Sequence, residues 1–241
     1  MFIHWGLYAL GARHEWMKHH EKRSNAEYQQ YFDHFDPDLY DPQVWAREAA
    51  NAGMKYFVVT TKHHEGFALW DTDMGDYKAT KSPAGRDLLQ PMVQAFRREN
   101  LRVGFYHSLI DWHHPHFTLD GVHPLRDHPD ALKMNKTRDI RKYQKFLHGQ
   151  TRELLTRFGP VDLLWFDYSY SNHVYRGMHG KGKADWASED LQKIIRELQP
   201  RAMVNDRMEL GGDFKTPEQY QPREWVRVNG QKVIWEGCQT F

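Results

Sequence analysis

Short apolar runs, each closing on a polar side chain, recur at residues 2–6, 56–62, 102–108, 161–167, 202–207 and 232–236. Runs of this length predict six strands. Between most of them the pattern changes to helical spacing, over residues 42–52, 88–99, 139–157 and 188–198. Gln144, Leu147, Thr151, Leu154 and Leu155 show the mixed spacing of a helix that rests one face on a sheet. Near-continuous apolar strands alternating with such helices indicate parallel βα units. Polar residues gather at the C-terminal ends of the strands, where barrels and doubly wound sheets build their sites. No Gly-x-Gly-x-x-Gly or Gly-x-x-x-x-Gly-Lys loop follows a strand, so the expected architecture is α/β, a TIM-type (β/α)8-like barrel, irregular and incomplete at about six strands. Residues 208–231 predict an irregular crossover. Residues 111–129 predict a long loop over one mouth of the sheet, of the kind that is usually a functional lid or disordered.

Composition narrows the function classes. The 33 basic and 32 acidic residues leave a net charge of +1, with no excess to hold a nucleic-acid backbone or an anionic membrane. The single cysteine, Cys238, permits no internal disulfide or thiolate metal cluster, and reads as an inert thiol. No apolar run approaches membrane-spanning length, and Met1 is followed by no charged-then-apolar export pattern, which gives a cytoplasmic address by default. His14, His19, His20, His113, His114 and His116 form neither His-Glu-x-x-His nor a zinc-spaced set, so no metal and no cofactor is expected. The mixed-sign run at residues 18–23 reads as solvated surface. The chain is rich in histidine (16), tryptophan (9) and tyrosine (12), side chains with a flat body and a polar tip that suit a sugar cleft as well as an aromatic core.

Several strand ends offer chemistry. Side chains at i and i+2 share a face, so Trp165 pairs with Asp167, and Asn205 with Arg207. An aromatic plate beside a carboxylate suits a sugar subsite, although Asp167 would serve equally as a helix N-cap. His63 and His64 reach one ligand only if the strand breaks at Glu65-Gly66-Phe67; otherwise one is buried and the other exposed. Glycoside cleavage needs a second carboxyl, for which Glu236 and Glu218 compete. Beside apolar surface Glu236 would hold its proton and act as an acid, while its structural alternative is a strand-end salt bridge.

Taken together, these segments resemble the α-L-fucosidases of glycoside hydrolase family 29. The resemblance rests on Phe2-Ile3-His4-Trp5-Gly6-Leu7-Tyr8, Glu15-Trp16-Met17, Thr60-Thr61-Lys62-His63-His64-Glu65-Gly66-Phe67, Gly85-Arg86-Asp87-Leu88 and Tyr106-His107-Ser108 with Asp111-Trp112-His113-His114-Pro115. It continues through Gly159-Pro160-Val161-Asp162-Leu163-Leu164-Trp165-Phe166-Asp167, Val204-Asn205-Asp206-Arg207, Thr216-Pro217-Glu218-Gln219 and Trp235-Glu236-Gly237-Cys238-Gln239-Thr240. It implies a retaining exo-hydrolase that removes terminal α-L-fucose from fucosylated oligosaccharides or glycoconjugates. It implies Asp167 as nucleophile, Glu236 as first choice for the acid/base with Glu218 as the alternative, and His4, His63, His64, Tyr106, Trp165 and Arg207 around the sugar. Trp5 and Trp16 would be further aromatic walls. Tyr168-Ser169-Tyr170 departs from the usual glycine after the nucleophile and points to a changed leaving-group side. On this reading residues 1–241 are one catalytic barrel domain without the relatives' C-terminal β-sandwich. Six strands leave open edges, so either a second copy completes the sheet as a homo-oligomer or the truncated enzyme is marginally stable. The alternative functions are a non-catalytic fucose-binding remnant and, behind it, a metal-dependent barrel hydrolase.

Overall fold

The computed structural model describes residues 1–239. Its strands are β1 (Phe2–Ile3), β2 (Tyr56–Lys62), β3 (Arg102–Ser108), β4 (Leu163–Asp167), β5 (Val174–Tyr175), β6 (Met178–His179), β7 (Met203–Val204), β8 (Arg227–Val228) and β9 (Gln231–Lys232). Five of them form one parallel sheet in the order β1-β2-β3-β4-β7. The crossovers are the helices Pro42–Asn51, Leu89–Arg98, Ile140–Arg157 and Ser188–Leu198, each within two residues of its sequence-based bounds. Three start on aspartates: Asp41 accepts from the amides of Gln43 and Val44, Asp87 from those of Leu89 and Gln90, and Asp139 from that of Arg141. A carboxylate there satisfies amides that have no partner within the helix.

Both faces of the sheet are covered, which is why its strands read as unbroken apolar runs. Phe57 and Val59 face the helices, Phe57 stacking on Phe96 at 4.0 Å, while Val58 turns inward to Tyr106, Trp165 and Phe214. β3 and β4 run in register, setting Ser108 beside Asp167. The β2–β3 register shifts between Thr60 and Lys62, immediately before the paired histidines. Such a bulge re-aims the side chains that follow it.

Three expectations need correction. Residues 232–236 are not a sixth strand of the sheet: β9 pairs antiparallel with β8, and beyond β7 the parallel direction continues, among the described residues, only through the single bridges Asn205–Phe214, Lys215–Trp235 and Glu218–Cys238. Pro217 and Pro222 lack the amide a ladder needs, so pairing there stays at isolated points. Residues 111–129 are not a free lid but a packed layer, with Trp112, Phe117, Leu119, Asp120 and His123 buried. Asp120 anchors it, accepting from Lys181 Nζ (2.5 Å) and the Tyr170 hydroxyl (2.7 Å). Nor is the run at 18–23 wholly solvated, since Lys18 is buried, donates to Asn25 (2.9 Å) and lies over the Tyr28 ring. No helix among the described residues is long and apolar enough to cross a membrane.

Candidate active site

The centre of the site is the end of β4. Asp167 has a side chain 15% exposed; its Oδ2 accepts from the Tyr106 hydroxyl (2.8 Å) and lies 3.6 Å from His64 Nε2, and its Oδ1 lies 3.8 Å from Arg207 Nη1. No helix begins there, so it is not an N-cap; the chain runs on into the β5–β6 hairpin. Burial pushes its carboxyl up to about 7, against the opposing pull of Arg207 and Tyr106. Tyr106 is held in turn by Trp165, whose indole stacks on it at 5.3 Å and 14°.

The histidines converge because β2 stops. A turn closes with the Gly66 amide donating to the His63 carbonyl (3.0 Å), and Gly66 adopts φ +91° where a β-carbon would lie 2.4 Å from Asp111 Oδ1. Only glycine fits this corner. His63 and His64 are therefore both buried, their rings 4.0 Å apart, and the reading with one of them exposed fails. His63 Nδ1 is 3.1 Å from Glu65 Oε2. His64 Nδ1 meets Ser108 Oγ (2.6 Å), whose own proton goes to the Ile110 carbonyl (2.7 Å). His64 Nδ1 must therefore donate, which leaves Nε2 an acceptor on the Asp167 side, without a hydrogen-bond partner among the described residues. Burial lowers His63 to about 3 and His64 well below the usual imidazole range, so both are neutral. His4, just past β1 and exposed to solvent, hydrogen-bonds Tyr8 (2.7 Å) and packs edge-on against His63 (4.8 Å) and Tyr106 (5.4 Å).

The other wall comes from the segment after β7. Arg207 does not share a strand face with Asn205, because β7 ends at Val204 and Arg207 lies in a 3-10 turn, Asp206–Met208. Asn205 instead turns to the backbone of Phe166, accepting from its amide (3.0 Å) and donating to its carbonyl (2.8 Å). Arg207 lies over the Trp165 ring at 5.3 Å, donates through Nε to Thr216 (2.9 Å) and through Nη2 to Glu218, and turns Nη1 toward Asp167. Glu218, 41% exposed at its side chain, stands at the mouth and adds its negative charge to the field at Asp167.

Glu236 is placed differently. Its Oε1 accepts from the Tyr56 hydroxyl and its Oε2 from Trp165 Nε1 (3.0 Å). Burial raises its proton affinity as expected, against the pull of these two donors. Both its oxygens are thus engaged by Tyr56 and by the indole N–H of Trp165, whereas Asp167 is engaged by Tyr106. The segment's last residue, Thr240, lies outside the described residues.

Trp5 is not brought to the site. It follows His4 and points the other way, stacking on Tyr40 (5.5 Å) with Trp45 and Phe35 edge-on or tilted beside it. Trp16 does arrive, edge-on to His64 at 5.0 Å and to Tyr168 at 5.5 Å. Residue-level reasoning missed Tyr8 and Glu65, which orient His4 and His63 through ring nitrogens. A tyrosine four residues after one histidine and a glutamate two after another were the available signals. Among the described residues, no three His, Cys, Asp or Glu side chains are grouped to hold a metal ion.

The chain as a whole is similar to known proteins. A family profile described as Alpha-L-fucosidase matches residues 1–241. The chain is 30% identical to tissue alpha-L-fucosidase of Rattus norvegicus over 92% of its own length and 49% of that protein's. It is 25% identical to alpha-L-fucosidase of Dictyostelium discoideum, covering 100% of this chain and 54% of that one. Among solved structures it is similar to alpha-L-fucosidase isoenzyme 1 from Paenibacillus thiaminolyticus, with a TM-score of 0.91 and 44% identity over 99% of this chain and 57% of that one. An alpha-L-fucosidase from Bacteroides thetaiotaomicron, solved as a trapped covalent intermediate with 2-fluoro-fucosyl fluoride, matches at TM-score 0.81 and 28% identity over 99% and 56% of the two chains. The chain thus spans about half the length of these relatives, and its parallel sheet with flanking helices corresponds to part of their catalytic barrel. Buried histidines at the ends of parallel strands, an arginine beside an aspartate, and a family match along residues 1–241 lead to one conclusion: this chain belongs to the alpha-L-fucosidase family, glycoside hydrolase family 29.

Proposed function

We propose that the chain is a retaining exo-α-L-fucosidase acting on terminal fucose of fucosylated oligosaccharides or glycoconjugates, with Asp167 as nucleophile and Glu218 as acid/base. The observation that carries the reading is the Arg207 guanidinium, which faces Asp167 through Nη1 and Glu218 through Nη2. A retaining mechanism needs its two carboxyls about 5 to 5.5 Å apart, so that one attacks the anomeric carbon while the other protonates the leaving oxygen and later activates water. One guanidinium shared by both supports that pairing.

The surroundings suit the charge that develops. His63 and His64 are neutral, so they add no positive charge to oppose an oxocarbenium ion, and His64 Nε2 can accept from a ring hydroxyl. The Tyr106 hydroxyl, donating to Asp167 Oδ2, leaves Oδ1 as the oxygen for attack. Trp16 and Tyr168 stand near His64 as an aromatic wall on the leaving-group side, consistent with the departure at residues 168–170. Glu236 has the raised proton affinity of a general acid, but both its oxygens are occupied, one by the Tyr56 hydroxyl and one by the Trp165 indole N–H. Its role in this reading is to hold that indole.

The test is hydrolysis of an aryl α-L-fucoside by Glu218→Ala and Glu236→Ala with and without azide. Azide should restore turnover to the Glu218 variant and yield the α-fucosyl azide. Rescue confined to the Glu236 variant transfers the acid/base role there. If the parent chain binds fucose by calorimetry yet turns over no fucoside, the non-catalytic remnant is the correct reading.

A further inference from the structure

Besides the pocket at Asp167, a cleft of about 270 Å³ opens between residues 72–77, residues 111–115 and the helix Ile140–Arg157. Its walls are aromatic: Tyr77 lies parallel to His113 at 3.8 Å, and Phe146 packs on His114 at 4.5 Å. Gln150 also lines it, from the long helix. It is 1% exposed, and its Oε1 has no hydrogen-bond partner among the described residues. The other buried polar groups there are engaged. Asp111 accepts from the amides of His113 (3.0 Å) and His114 (2.8 Å) and from Lys62 Nζ (3.1 Å). A buried acceptor without a partner is uncommon in a folded protein and calls for a donor from outside the chain.

We propose that this cleft is a second binding site, for a single hydroxyl-bearing sugar ring. Gln150 Oε1 needs a donor, and a sugar hydroxyl supplies one while the ring's C–H face rests on the aromatic walls. An anionic ligand does not fit: Lys62 is neutralised by Asp111, burial holds His113 and His114 down to about 4 and so uncharged, and Asp76 stands at the rim. The volume lies just under the range of about 300 to 1,000 Å³ usual for ligand pockets, which limits the occupant to one ring. The site shares a wall with the reactive pocket. Gly66, which lines the cleft, closes the turn that carries His63, and the Trp112 amide donates to the His64 carbonyl (2.8 Å). The occupant is therefore either a further sugar of the glycan being cleaved or a free monosaccharide. That it is a sugar rests on the fucosidase reading; that it donates a hydrogen bond to Gln150 does not.

Two variants test the site. Gly75 has a backbone conformation open to any residue, and a β-carbon there meets only Phe146 Cε2 at 3.9 Å, so Gly75→Trp can fill the cleft. Gln150→Met removes the acceptor at similar volume, with the thermal midpoint unchanged or raised because an unpaired buried amide is lost. Saturation-transfer NMR with galactose and with N-acetylglucosamine should detect binding to the parent chain that both variants weaken at least fivefold. On an aryl α-L-fucoside both variants should keep kcat/KM within twofold of the parent. A KM raised at least fivefold on a fucosylated trisaccharide, in both variants, identifies a sugar of the substrate; loss of monosaccharide binding with that KM unchanged identifies a free sugar. Undiminished sugar binding in Gln150→Met means that only water meets the amide and overturns the proposal, as does an absence of binding to the parent. Should the parent hydrolyse no fucoside, the fucosidase reading fails while the NMR comparison still decides the cleft.

Discussion

The two ends of the Trp165 indole offer a direct comparison. Asp167 lies beyond its Tyr106-stacked face and Glu236 at its N–H edge, and burial pushes both carboxyls above their ordinary range. Their partners differ. Asp167 accepts one hydrogen bond, faces a guanidinium and a neutral imidazole at longer range, and keeps an oxygen available at the mouth. Glu236 accepts from two neutral donors, one on each oxygen. A raised proton affinity therefore does not by itself identify a reacting carboxyl; an unengaged oxygen with a charged neighbour is the more telling feature.

The largest effect belongs to Asp167→Asn. Turnover of an aryl α-L-fucoside should fall by about 10⁴-fold or more, the scale of removing a nucleophile, with an unchanged circular dichroism spectrum. Wild-type-like turnover would remove Asp167 from the role and erase the contrast with Glu236. Next is Glu218→Ala, expected to lower kcat/KM by about 10² to 10⁴-fold, the usual worth of a general acid, with azide restoring turnover. A change below about threefold would leave the mouth without its acid.

The pH dependence follows from the same carboxyl. With Asp167 at about 7, attack requires its ionised form, so kcat/KM of the parent should drop roughly tenfold per unit below that pH. The stability sign is fixed as well. The folded state holds this proton more tightly than the unfolded chain, whose aspartate has the ordinary value of 3.8. Raising the pH from about 4 to 7 therefore removes stability, and above 7 a buried charge remains. Asp167→Asn should melt higher than the parent by a margin that widens from about pH 4 to about pH 7 and is level above it; a margin independent of pH would show that the carboxyl is not so perturbed.

Glu236→Gln is expected to cost about tenfold in kcat/KM without azide rescue, since the amide still accepts from one donor and about 1.4 kcal/mol of positioning is lost. Trp5→Phe should be the mildest, within about twofold in activity, because its ring packs on Tyr40 and Trp45 rather than on the site. A tenfold rise in KM for that variant would return Trp5 to the sugar's surroundings.

Much of this protein was legible along the chain. Strands buried on both faces leave unbroken apolar runs, and amphipathic crossovers leave a 3.6-residue pattern, so β2, β3, β4 and the four helices appear near their true bounds. Asp167, Tyr106 and the His63–His64 pair are local in the same sense, since strand ends and a glycine turn determine where they point. Non-local pairing escaped the pattern. Residues 232–236 carry an apolar signal yet meet the sheet at one bridge, because the proline-rich segment before them supplies too few amides for a ladder. The buried layer at 111–129 is polar in sequence, and distant contacts, among them those with Lys181, Tyr170, His19 and Trp186, account for its packing.

Periodicity and local steric limits thus sufficed for the class of fold, the order of its units and the end of the sheet at which chemistry gathers. Which carboxyl shares Arg207 with Asp167 and which aromatic residues line the site depended on residues 11 to 180 positions apart meeting in space. Those meetings follow from how the segments after β7 cross the barrel mouth, and no spacing within a single element encodes that path.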